Sequence, residues 1–133
     1  MKYLLDTNIW IKSLNQSSSA IKHAFEICTP TDIVLCSVVK AELYYGVYKS
    51  THTVANLQLL EKLFAQFISL PFTDIAAEIA GNLRSQLTKL GTPIGPNDLQ
   101  IAAIALANNL ILVTHNTGEF SRIIGLRWED WEV

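Results

Sequence analysis

Tyr3-Leu4-Leu5-Asp6-Thr7-Asn8 is an apolar run that ends abruptly in a carboxylate and two short polar side chains. A short apolar segment closed in this way reads as a buried parallel strand whose C-terminal end opens onto a crevice. In open α/β sheets that crevice is where ligands bind. Asp6 therefore has two readings: it caps the helix that follows, accepting from free N–H groups, or it forms one wall of an acidic metal site. Thr7 and Asn8 are capping residue types too, so the stretch alone leaves both readings open.

Downstream, Ile9, Trp10, Ile11 and Leu14 fall at helical spacing before the polar run Asn15 to Ser19 interrupts them, which predicts a short helix and a loop. The serine run can cap a second helix, with Ala20, Ile21, Ala24, Phe25 and Cys28 on one face and Lys22, His23 and Glu26 on the other. Thr29-Pro30-Thr31-Asp32 ends it. Ile33-Val34-Leu35-Cys36 reads as the second buried strand, and Ser37 as the N-cap of a helix from Val38 to Tyr48. Glu42 lies in that helix, roughly a turn and a half beyond the strand.

Thr53 to Phe67 is predicted helical, Ile68-Ser69-Leu70 a third short strand, and Thr73-Asp74 the opening of a helix that Gly91 stops. Gly91-Thr92-Pro93-Ile94-Gly95-Pro96-Asn97 is the strongest loop signal in the chain. Asp98 then begins a nearly uncharged helix to Ala107, and Leu110 to Val113 reads as a buried strand ending at Thr114-His115-Asn116. Thr117 to Ser121 is expected to turn or form a short helix with Phe120 inward, and Ile123 to Trp128 to supply a last strand or edge segment. Strands alternating with longer helices predict a three-layer α/β/α sandwich around a short parallel sheet, with right-handed crossovers. With 133 residues, half of them apolar, the expectation is one domain spanning residues 1–133.

A formal charge of -2 excludes binding to nucleic acid by gross basic excess, so any such role must rest on a local site. Cys28 and Cys36 have neither CxxC spacing nor histidine partners, which argues against zinc and for reduced thiols. No apolar run approaches the length of a membrane span, and the segment before Asp6 is too short for a signal-peptide core. A soluble cytoplasmic protein without membrane contact is the expectation.

In the predicted sheet Asp6, Glu42 and the segment Thr114 to Asn116 all fall on the carboxyl edge. Asp98 reaches the same edge if the Pro- and Gly-rich loop before it folds over the site. Converging carboxylates repel and their pKa values rise unless a cation compensates. Oxygen-only ligation points to Mg²⁺ or Mn²⁺. Such an ion lowers the pKa of a bound water and neutralises charge on a phosphate, which makes phosphodiester hydrolysis the reaction class. Against this, Glu42 could face solvent or pair with Lys40 or Lys49, and Asp98 could simply favour the dipole of its helix.

These residues resemble the PIN-domain ribonucleases, and among them the VapC-type toxins of bacterial toxin-antitoxin pairs. The resemblance is carried by Leu4-Leu5-Asp6-Thr7-Asn8, by Ser37 to Leu43 with Gly46, by Ile94 to Ala103, and by Thr114-His115-Asn116 with Glu119-Phe120. It implies a metal-dependent endoribonuclease with Asp6, Glu42 and Asp98 as metal-holding catalytic acids, and with Thr7, Asn8, Ser37 and Thr114 as supporting polar groups. Many members carry a fourth acid where this chain has Asn116, with Glu119 three residues on. Asn116 is assigned to the catalytic set as a group that positions water, and Glu119 to a supporting role. The resemblance also implies an RNA substrate, an antitoxin partner that blocks the site, and a homodimer or toxin-antitoxin hetero-oligomer. Tyr44, Tyr45 and Tyr48 are candidates for those protein surfaces, and Lys12, Lys40, Lys49 and Arg84 for RNA phosphates.

Two other classes compete. An aspartyl-nucleophile phosphatase needs a second Asp two positions after the first, where this chain has Asn8. A catalytically silent PIN-like module would hold RNA or protein without cutting. The acids at 6, 42 and 98 argue against it, while Asn116 argues for it.

Overall fold

The run that ends in Asp6 forms the central strand of the molecule. In the computed structural model, which describes residues 1–133, β1 (Tyr3–Leu5) lies between β2 (Ile33–Cys36) and β4 (Ile111–Val113), with β3 (Ile68–Leu70) and β5 (Trp128–Glu129) at the edges. The spatial order is β3-β2-β1-β4-β5 and every pairing is parallel. Leu4 stands opposite Val34 on one side and Leu112 on the other. All three side chains are fully buried, which is why these strands are apolar on both faces and do not alternate.

The helices flanking this sheet are α1 (Thr7–Asn15), α2 (Ser19–Ile27), α3 (Ser37–Tyr48), α4 (Thr53–Phe64), α5 (Asp74–Lys89), α6 (Pro96–Ala107) and α7 (Thr117–Phe120), completing the expected three-layer sandwich. Ser18 caps α2 by accepting from the Ile21 N–H, and Thr73 caps α5 by accepting from the Ala76 N–H. Helix α6 buries Ile101 to Ala105 completely, as its near absence of charge requires. The chain runs outward from β1 to β2 to β3, then returns through α5 and α6 to place β4 on the other side of β1. The carboxyl ends of β1 and β4 thus flank the topological switch point, where crevices form in such sheets.

Four boundaries differ from expectation. Strand β2 runs into α3 with no linking residue, so the cap position falls on Cys36, whose side chain caps nothing, and Ser37 is the exposed first helical residue. Helix α6 starts at Pro96 and not at Asp98, because the fixed φ of proline suits a first helical position. Helix α4 stops at Phe64, three residues before the predicted end. The last strand is Trp128–Glu129, displaced from Ile123–Trp128. Ile123 and Leu126 are buried but serve the core from irregular backbone, and Gly125, at φ +87°, turns the chain so that the β4 ladder meets Arg127 and Glu129.

Candidate active site

Asp6 caps the helix that follows it and at the same time reaches the end of β4. Its Oδ1 accepts the Ile9 N–H at 3.1 Å, capping α1, while Oδ2 accepts the Thr114 hydroxyl at 2.5 Å from the end of β4. Thr114 is completely buried, and its Oγ1 also accepts the Asn116 N–H at 3.0 Å. The two polar groups thus pin the ends of β1 and β4 together across the switch point.

Glu42 is half-buried in the second turn of α3, and the Thr7 hydroxyl donates to its Oε1 at 2.7 Å. It pairs with neither lysine considered for it. The Lys40 ammonium lies 4.8 Å from the Phe64 ring centroid and that of Lys49 lies 4.7 Å from the Tyr45 ring. Asp98 is half-buried in the first turn of α6.

Asp6, Glu42 and Asp98 line one cleft of about 560 Å³, together with Thr7, Asn8, Asn97, Tyr45 and Lys49 among others. Burial pushes the Asp98 carboxyl up to about 6, with the negative charges of Glu119, Asp6 and Glu42 adding to it. Burial raises Asp6 as well, opposed by the Thr114 and Ile9 hydrogen bonds, while Glu42 and Glu132 push it further up. Three carboxylates thus converge in a cleft whose lining includes one cation, Lys49. An all-oxygen donor set with this deficit fits a hard divalent cation.

Thr114, Asn116 and Glu119 adjoin the cleft without lining it. Glu119 Oε1 accepts the Gly95 N–H at 3.0 Å and Oε2 accepts from Asn116 Nδ2 at 2.5 Å. It thereby ties the segment after β4 to the loop before α6 and stands close enough to Asp98 to raise its pKa. Ser37 is exposed and makes no contact with the cleft. The Asp6–Thr114 and Glu119–Gly95 contacts join distant residues and left no local signal in the chain. The same holds for a polar network outside the cleft, where His115 Nδ1 meets Asp130 at 2.9 Å and Glu132 at 3.2 Å, and Lys12 bonds Glu132.

The PIN domain family profile matches residues 3–126. The chain is 37% identical over 131 residues to the tRNA(fMet)-specific endonuclease VapC of Shigella flexneri, covering 98% of both proteins. Its structure is similar to a chain of DNA-bound VapBC from Salmonella typhimurium, with a TM-score of 0.92, 35% identity and 98% of each chain covered. It is also similar to VapBC2 from Rickettsia felis bound to a promoter DNA fragment, with a TM-score of 0.90, 37% identity, and 98% of this chain and 99% of that one covered.

Proposed function

The chain belongs to the PIN-domain family, and from that premise we propose that it is a VapC-type toxin, an endoribonuclease that hydrolyses RNA phosphodiester bonds with a divalent metal ion and is held in check by an antitoxin. The observation that carries this reading is the convergence of Asp6, Glu42 and Asp98, from three separate elements, on one cleft at the carboxyl edge of the sheet. These three would hold the ion, Mg²⁺ or Mn²⁺ by the hardness of their oxygens. When bound, it supplies a water of lowered pKa and offsets charge developing on the phosphate.

The chain's own groups prepare that site. The Ile9 N–H and the Thr114 hydroxyl fix the Asp6 carboxylate, and the Thr7 hydroxyl fixes that of Glu42. Asn8 and Asn97 offer neutral polar groups at the cleft wall, where a phosphate oxygen or a sugar hydroxyl can bond. Asn116, held through its own N–H by Thr114 and through its side chain by Glu119, stands ready to orient a water. Glu119 holds the loop before Asp98 and supplies the acidic charge that Asn116 does not.

Next to the cleft, and sharing Glu42, Ile11 and Gly46 with it, runs an apolar groove lined by Leu14, Leu43, Val47, Leu59 and Leu60. Leu59 is 60% exposed, a cost in water that an apolar antitoxin segment would remove. The relatives that the chain resembles in structure are themselves toxin-antitoxin complexes. A homodimer or a toxin-antitoxin hetero-oligomer is the assembly we propose. No helix is long and apolar enough to cross a membrane.

The test is cleavage of total cellular RNA, and of the initiator tRNA for which the Shigella relative is named, by antitoxin-free protein. Cleavage is expected with Mg²⁺ or Mn²⁺, and not with EDTA or in Asp98→Asn. Failure to cut, together with failure to bind Mn²⁺ by calorimetry, would assign the protein to the silent module instead.

A further inference from the structure

Of the four basic residues that could reach RNA, three are committed elsewhere. Lys12 pairs with Glu132, Lys40 covers the Phe64 ring, and Arg84 lines a different groove between α5 and α6. Lys49 alone lines the carboxylate cleft. Beside it stands Tyr45, one helical turn back, with its ring 4.7 Å from the lysine ammonium and 67% exposed. The neighbouring tyrosine behaves differently: Tyr44 packs edge-on against Phe64, at 5.3 Å between centroids. Tyr45 follows Glu42 by three residues on α3, a spacing that sets the two side chains on adjacent ground.

We infer that Tyr45 and Lys49 form a nucleotide-holding rim on the cleft, where one unpaired RNA base stacks on the Tyr45 ring and Lys49 contacts a phosphate flanking the cut bond. The inference rests on the nuclease reading and extends it to substrate holding. An RNA strand approaching three carboxylates is repelled, and a fixed cation at the rim offsets this where the strand enters. Recognition of single-stranded RNA relies on unstacked bases laid against aromatic side chains, with cations tracking the backbone. An exposed tyrosine steadied by a lysine offers both within one turn of helix. A protein partner is the competing occupant. Tyr45 and Lys49, however, line the carboxylate cleft and neither lines the apolar groove, which is where a protein segment finds burial.

The experiment compares wild type, Tyr45→Phe, Tyr45→Leu and Lys49→Gln in steady-state cleavage. Tyr45→Leu is expected to raise KM roughly 5- to 100-fold with kcat within about twofold, and Tyr45→Phe to stay near wild type. Lys49→Gln should raise KM and make the log–log salt dependence shallower by about 0.7, the loss of one single-strand phosphate contact. In an Asp98→Asn background, short single-stranded RNAs carrying 2-aminopurine should show quenched fluorescence at one position, relieved by Tyr45→Leu. Unchanged KM in Tyr45→Leu overturns the rim while leaving the nuclease intact. Unchanged KM with a weakened antitoxin complex reassigns Tyr45 to protein docking. Tyr45-dependent quenching by a protein that cuts no RNA and binds no Mn²⁺ would keep the rim and sink the nuclease.

Discussion

Burial of Asp98 among other carboxylates costs the metal-free fold stability, and its titration shows how much. Its carboxyl rests near 3.8 in an unfolded chain and at about 6 in the fold. Between about pH 4 and pH 6 the unfolded chain releases a proton that the folded one keeps, so stability of the metal-free protein falls as pH rises, then levels off above about 6. Asp6, also raised, adds in the same direction. Urea denaturation in EDTA should therefore give a lower midpoint at about pH 7.5 than at about pH 5. Asp98→Asn should flatten that slope and stabilise the metal-free protein at the higher pH by about 1 kcal/mol, a figure discounted for the partial exposure of the group. An unchanged slope in the variant would locate the titration elsewhere. Thr114→Val keeps the shape but removes the donor to Asp6 and the acceptor for the Asn116 N–H. A loss of about 1–3 kcal/mol is expected in denaturation, with weaker Mn²⁺ binding in calorimetry because Asp6 then holds its proton more tightly. Equal Mn²⁺ affinity in Thr114→Val would show that Thr114 serves the fold alone. Two readings of Asp6 are legible from spacing; the structure shows the helix cap and brings Asp6 into one cleft with Glu42 and Asp98. Its bond to Thr114 is not legible, since nothing in either segment marks a partner 108 residues away.

Among the elements, apolar periodicity identified every helix of more than one turn and every central strand, because each buries a stripe or two whole faces. It failed where apolarity and regular structure part company. Ile123 and Leu126 are apolar because they are buried, not because they pair, while the true edge strand at Trp128 and Glu129 is half-exposed and too short to show a pattern. Helix ends follow local chemistry more closely. Thr73→Ala should cost about 1 kcal/mol through loss of the bond from the Ala76 N–H, with cleavage unchanged because α5 lies outside the carboxylate cleft. Altered cleavage would tie α5 to the site. The first turn of α6 is set from outside the helix, by the Glu119 carboxylate on the Gly95 N–H. In Glu119→Gln that acceptor remains while the charge is gone, so the Asp98 carboxyl, followed by ¹³C NMR, should titrate lower than about 6. No movement would remove Glu119 from the electrostatics of the site.

For the whole molecule, a net charge of -2 sets the scale of its dealings with RNA. With one lysine in the cleft, KM should depend on salt with a log–log slope of about 0.7, far below that of proteins that bind by a basic face. A slope of several units would require further phosphate contacts on another surface. The parallel order β3-β2-β1-β4-β5 has a temporal consequence as well. The strand that anchors the site is made first, and the strand that supplies its other half is made 108 residues later. At about 5–20 residues per second, roughly 5–20 s separate the two during translation. Through that interval β1 has an open edge, Asp6 has no Thr114, and Asp98 for most of it does not yet exist. A ribosome making this chain thus carries a product whose carboxylate cleft cannot close until β4 has been made.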